Sequence, residues 1–122
     1  MSNPCNWFEI YVDDMSRAKA FYGKLLGIEF TRLDNPEIEM FAFPSDQKSY
    51  GTSGALVRMP GFKAGANSVL VYFTCEDCAV EAAKVAKIGG RIQKEKTSIG
   101  QYGYMALAFD TEGNMFGLHS MK

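Results

Sequence analysis

The feature that most constrains this chain is a unit of strand, cap, helix and glycine stop that occurs twice. In the first copy Trp7-Phe-Glu-Ile-Tyr-Val-Asp13 alternates, with Phe8, Ile10 and Val12 on one side and Trp7, Glu9 and Tyr11 on the other. Period two over that length predicts a strand with two different faces. Asp14 follows as an N-cap. From Met15 to Leu26 the apolar positions Ala18, Phe21, Tyr22, Leu25 and Leu26 make one helical stripe. Gly27 stands where a left-handed residue ends a helix. The second copy runs Val69-Leu-Val-Tyr-Phe-Thr74, then Cys75-Glu-Asp-Cys78. A helix follows in which Ala79, Ala82, Ala83 and Ala86 share a face, closed by Gly89-Gly90. Superposing the copies places Gly27 on Gly89, Ala20 on Ala82 and Phe30 on Ile92. Identity is low, but order and length are those of a duplicated module.

After each helix the chain turns β-rich. The first half offers strands over Ile28–Leu33, Ile38–Phe43 and Gly54–Met59. The second offers Arg91–Lys96, Tyr104–Phe109 and Met115–His119. Turn signals separate them at Asn35-Pro36, Pro44-Ser-Asp46, Gly100 and Asp110 to Asn114. The order β-α-β-β-β, twice, is an α+β pattern. We expect one domain over 1–122, with module one at about 5–60, module two at about 67–122, and Pro60 to Asn67 as the link. A chain of 122 residues at 47% hydrophobic can bury a core without disulfide staples. Its net charge is −1, and its Lys and Arg are scattered rather than clustered, which argues against nucleic acid and membrane as partners. Met1 to Trp7 has neither a basic nor an apolar leader region, and no apolar run reaches membrane-spanning length. The three cysteines lack the spacing of a disulfide framework. A cytoplasmic protein is expected.

Three segments carry a resemblance. Phe8-Glu-Ile-Tyr-Val-Asp-Asp-Met-Ser-Arg17, leading into Phe21-Tyr22 and Leu26-Gly27, resembles the opening strand and helix of the glyoxalase/bleomycin-resistance/extradiol-dioxygenase (vicinal oxygen chelate) superfamily. The mid-chain strand–helix–Gly89-Gly90 unit resembles its second module. Phe109-Asp-Thr-Glu-Gly-Asn114 resembles its closing D-P-x-G-N hairpin, with Thr111 where proline is usual. Sequences of this look are often labelled "related to lactoylglutathione lyase". The resemblance implies two βαβββ modules forming a curled mixed sheet with helices on the convex face, a ligand or metal on the concave face, and a homodimer. Alternation then assigns Phe8, Ile10, Val12, Val69, Val71, Phe73, Leu107, Phe109, Phe116 and Leu118 to the helix side. Trp7, Glu9, Tyr11, Leu70, Tyr72, Thr74, Tyr104, Ala106 and His119 take the other.

Metal-dependent relatives converge His and Glu ligands on one divalent ion. Carried over by motif, the four ligand positions fall on Trp7, on Ala55 or Leu56, on Leu70 or Val69, and on Gly117. None can ligate through its side chain, and the chain has one histidine. No metal and no cofactor are therefore expected. The candidate ligand-binding residues are Trp7, Glu9, Tyr72, Tyr104 and His119, with Tyr102 as a further wall. Glu9 and His119 are also the candidate catalytic residues, as an acid–base pair. Arg58 is either an anion clamp or a surface arginine. Cys75-x-x-Cys78 lacks the Gly/Pro of a thioredoxin-type pair and has no second CxxC for zinc. No phosphate loop or nucleophile elbow is present. The expected function is small-molecule binding in a homodimer without metal. The alternative is a metal-independent lyase or isomerase using Glu9 and His119.

Overall fold

A computed structural model describes residues 5–36, 38–46, 48–67 and 69–122. The leader reading of Met1 to Trp7 thus falls partly on residues 1–4, outside the described ones. The first half consists of β1 (Phe8–Tyr11), α1 (Met15–Leu26), β2 (Thr31–Leu33), β3 (Glu39–Ala42) and β4 (Gly54–Arg58). The second consists of β5 (Tyr72–Thr74), α2 (Cys78–Val85), β6 (Arg91–Ser98), β7 (Tyr104–Phe109) and β8 (Met115–Ser120), with 3-10 turns at Ala86–Ile88 and Gly100–Tyr102. They build two four-stranded mixed sheets, ordered β1-β4-β3-β2 and β5-β8-β7-β6. β1 runs parallel to β4 and β5 parallel to β8, while the other pairs are antiparallel. The two sheets therefore repeat one topology, as the α+β reading of two βαβββ modules expects. No helix among the described residues is long and apolar enough to cross a membrane.

The helix ends follow from single residues. The Asp14 carboxylate accepts from the Arg17 amide at 3.0 Å and opens α1. Gly27 closes it at φ 65, a left-handed conformation that a Cβ would penalise. Asp77 caps α2 in the same way through the Ala79 amide, and its Oδ1 also meets Lys96 Nζ at 2.9 Å.

One apolar core joins both halves. Ala18, Phe21, Tyr22 and Leu25 of α1 pack with Leu56, Val85, Phe116 and Leu118. At its centre the aromatic rings interlock. Tyr22 lies 5.9 Å from Phe43 in the first half, and 5.6 and 5.7 Å from Phe73 and Phe116 in the second. Phe8 bridges Phe43 and Phe73 at 5.4 and 6.1 Å. Tilted and edge-on pairs at these distances add attraction beyond the burial of area.

Three expectations about faces are corrected. In β7 the residues under α2 are Ala106 and Ala108, both fully buried, with Tyr104 packed beside them, while Leu107 and Phe109 are half-buried on the other side. Both sets of this strand are apolar, so alternation fixes its period but not its phase. The tight approach of α2 selects the small residues. In α2 the buried positions are Cys78, Ala82 and Val85, not the alanine stripe, of which Ala79, Ala83 and Ala86 are exposed. Val69, expected in the core, is 71% exposed, because β5 begins only at Tyr72.

Candidate functional site

Within each sheet, β1 and β5 are edge strands, and each pairs with one partner only. Between them, where Phe8 approaches Phe73 beneath the surface, lies a cavity of about 660 Å³. Its wall on one side is β1, with Trp7, Glu9 and Tyr11 facing it and Phe8 and Ile10 below. The linker supplies Phe62, Lys63, Gly65 and Asn67. Val69 and Val71 ahead of β5, and Met115 and Phe116 of β8, close the far side, with Tyr22 and Asn114 at the base. A volume of this size, largely apolar and with a few polar groups, suits a small organic molecule.

The polar groups are placed by hydrogen bonds. Alternation in β1 sets Trp7, Glu9 and Tyr11 on one face, and there Trp7 Nε1 donates to Glu9 Oε2 at 3.3 Å and Tyr11 OH donates to Oε1 at 3.1 Å. The phenol of Tyr11 is pushed above its ordinary value, first by burial and then by the neighbouring Glu9. Phe62 stacks on Tyr11 at 5.7 Å and 30°, and the short bridge between Met59 and Phe62 holds the linker over it. The linker is tied down at Ala64 by Asp13 Oδ1, at Gly65 by Asn114 Oδ1 (2.7 Å), and at Asn67 by reciprocal bonds to Met115.

Beneath the cavity runs a polar seam that sequence reasoning missed as a functional element. Glu112 accepts the amides of Asp13 and Asp14 at 2.9 and 2.8 Å and both arms of the Arg17 guanidinium at 2.6 and 3.0 Å. Burial works to raise its pKa, but Arg17 and the two amides outweigh burial and hold the carboxyl below its usual range. Buried Asp110 accepts from Tyr22 OH at 2.6 Å and from the amides of Glu112 and Asn114. Burial still leaves it above the usual carboxylate range. Asn114 Nδ2 donates to the Tyr11 carbonyl and so fastens the hairpin to β1. The Asp110–Asn114 segment was legible as a turn. Its role as the clasp between halves was not, since its partners lie about a hundred residues away along the chain.

The expected site residues separate into two groups. Trp7 and Glu9 line the cavity together. Tyr72, Tyr104, His119 and Tyr102 do not line it. Tyr104 is turned to the helix side, where Lys96 sits 4.6 Å above its ring. His119 Nε2 lies 2.7 Å from the Tyr102 carbonyl, and neither a hydrogen bond nor an ion pair joins it to Glu9 among the described residues. One chain does not bring that acid–base pair together. Arg58 donates to the Asp13 carbonyl and lies 3.8 Å from Glu39, lining an adjoining groove of about 360 Å³ that shares Gly61, Phe62 and Lys63 with the cavity. Cys75 and Cys78 are buried, and burial, followed by the charge of Glu81, pushes the Cys75 thiol up to about 12, which disfavours the reactive thiolate.

At two of the inferred ligand positions, Ala55 or Leu56 and Gly117, the strands carry no ligating side chain. Glu9 pairs across from Ala55 in β4, and Tyr72 pairs across from Gly117 in β8. The Tyr72 ring lies so close over Gly117 that a Cβ there would overlap it, so the place a ligand side chain would occupy is taken by an aromatic face. No group of three His, Cys, Asp or Glu converges among the described residues.

Comparison with known proteins agrees with this architecture. A protein of the Glyoxalase/Bleomycin resistance protein/Dioxygenase superfamily from Sphaerobacter thermophilus superposes with a TM-score of 0.75 at 20% identity, covering 98% of each chain. Glyoxalase I from Leishmania major gives 0.74 at 21% identity, covering 98% of this chain and 88% of that one. TnmS3, an antibiotic-binding protein from Streptomyces sp. CB03234, gives 0.69 at 20% identity with 98% of both chains covered. At these identities the likeness is one of fold. No curated protein matches the sequence. The family description "Glyoxalase/Bleomycin resistance protein/Dioxygenase superfamily" matches residues 5–118, nearly the whole chain, and the protein belongs to that superfamily.

Proposed function

We propose that this protein binds a small organic molecule in the cavity beside β1, without a resident metal, as a cytoplasmic homodimer. The observation that carries the reading is the cavity itself: about 660 Å³ walled by Trp7, Tyr11, Phe62, Val69 and Met115, with one hydrogen-bonded carboxylate, Glu9, in its face. Aromatic walls give contact area at little conformational cost, and a single fixed polar group orients what they hold. The likeness of fold to an antibiotic-binding protein is in keeping with a binding role. The side chains at the four inferred ligand positions support metal independence. The free cysteines suit a reducing compartment. The exposed apolar side chains of Val69, Leu70 and Tyr72 beside the edge strand β5 suit a second copy.

The test is a calorimetric screen of the purified protein against small aromatic and amphipathic molecules, with the mass read by light scattering. The expected result is a species of twice the chain mass and at least one saturable ligand. Its affinity should fall about five-fold in Phe62→Ala, since an aromatic contact contributes on the order of 1 kcal/mol. A monomer that binds nothing would refute the proposal.

A further inference from the structure

Resting on that reading of the cavity, we propose that its ligand class is an organic cation carrying an aromatic ring, with Glu9 as the counter-charge. The Glu9 carboxylate is exposed to the cavity and is held by two neutral donors, Trp7 Nε1 and Tyr11 OH. No Lys or Arg forms an ion pair with it among the described residues, whereas Arg17, Arg58, Lys96 and Lys122 each pair with other carboxylates. The two donors fix both carboxylate oxygens while leaving their charge uncompensated. The same two residues, with Phe62 stacked on Tyr11, place aromatic rings beside that charge. A carboxylate framed by aromatic rings attracts a cation twice, through its own charge and through the quadrupoles of the rings. A neutral ligand of the same shape gains only the apolar contact. An anion meets repulsion from Glu9. Lys63 is the single cation of the lining among the described residues and sits in the linker beside Phe62. It opposes the ligand charge, so its neutralisation should strengthen binding.

Trp7 is the chain's one tryptophan and lies in the cavity wall, so its emission reports occupancy directly. The experiment titrates the intact protein with 3-hydroxyphenyl-trimethylammonium and with its neutral isostere 3-tert-butylphenol, following Trp7 emission and calorimetric heat. The cation should bind about ten-fold more tightly than the isostere, the size expected of combined charge and cation–π attraction at a partly open site. In Glu9→Gln the preference should shrink towards one, because the affinity for the cation falls more than that for 3-tert-butylphenol. In Lys63→Gln it should grow. Equal binding of the two probes by the wild type, or a preference that survives Glu9→Gln, overturns the cation assignment and leaves the cavity reading standing. If neither probe binds, both fall.

Discussion

Glu112 ties the two halves together, with two amides and a guanidinium converging on one buried carboxylate. Hydrogen bonds to a charged group contribute roughly 1.5–3 kcal/mol each in protein contexts. Glu112→Gln, which keeps the shape and removes the charge, is therefore expected to lower unfolding stability by about 2 kcal/mol at pH 7. The pH dependence has a definite sign. Because Glu112 is held below its ordinary range, its contribution is complete above the ordinary glutamate value of about 4.3 and is lost as the pH falls through the lower folded value. Urea unfolding of wild type and Glu112→Gln should accordingly show a gap that is full at neutral pH and closes in acid. A gap that widens in acid would mean the clasp does not depend on the ionised carboxylate. The residue was readable in the sequence as part of Asp-Thr-Glu-Gly-Asn, yet nothing local told it apart from a solvated turn glutamate. Its partners, Asp13, Asp14 and Arg17, come to it only through the fold.

Elements were legible where an end signal and a one-sided pattern coincided. The helix α1 was bounded by Asp14 and Gly27, and its buried face holds Ala18, Phe21, Tyr22 and Leu25 of the stripe read from the sequence, with Met15 added and Leu26 half-buried. Where both sides of an element are apolar or small, the pattern loses its phase. That is why β7 was assigned the wrong face and α2 the wrong stripe, and why Tyr104 was expected in the pocket. The corrected phase has a consequence at Ala108. It is fully buried in the shared core, so Ala108→Val forces an extra pair of methyls into packed space and should cost about 1–3 kcal/mol in thermal or urea unfolding. If Ala108 faced outward with the set first assigned to that side, the same change would fall within about 0.5 kcal/mol. A neutral result would contradict the packing of β7 under α2.

At the scale of the molecule, duplication explains both the fold and the location of the cavity. Two copies of one unit leave two like edges, β1 and β5, and these face one another without pairing. The aromatic cluster of Phe8, Tyr22, Phe43, Phe73 and Phe116 fills the space beneath that gap, while the linker from Gly61 to Asn67 covers part of it above. The modular order and the β1 face of the site, Trp7 and Glu9, were present in the sequence as alternation and repeat. The linker's part, Phe62 on Tyr11 and Asn67 on Met115, was not, because a loop's contacts follow from where the two modules sit rather than from its own composition. The central claim is that this cavity takes an organic molecule through the protein's own side chains. The most direct measurement is a titration of Trp7 emission with 3-tert-butylphenol, before and after exhaustive dialysis against EDTA. The account predicts a saturable change with the same affinity in both samples. A response that vanishes with the chelator and returns with a divalent metal would contradict it.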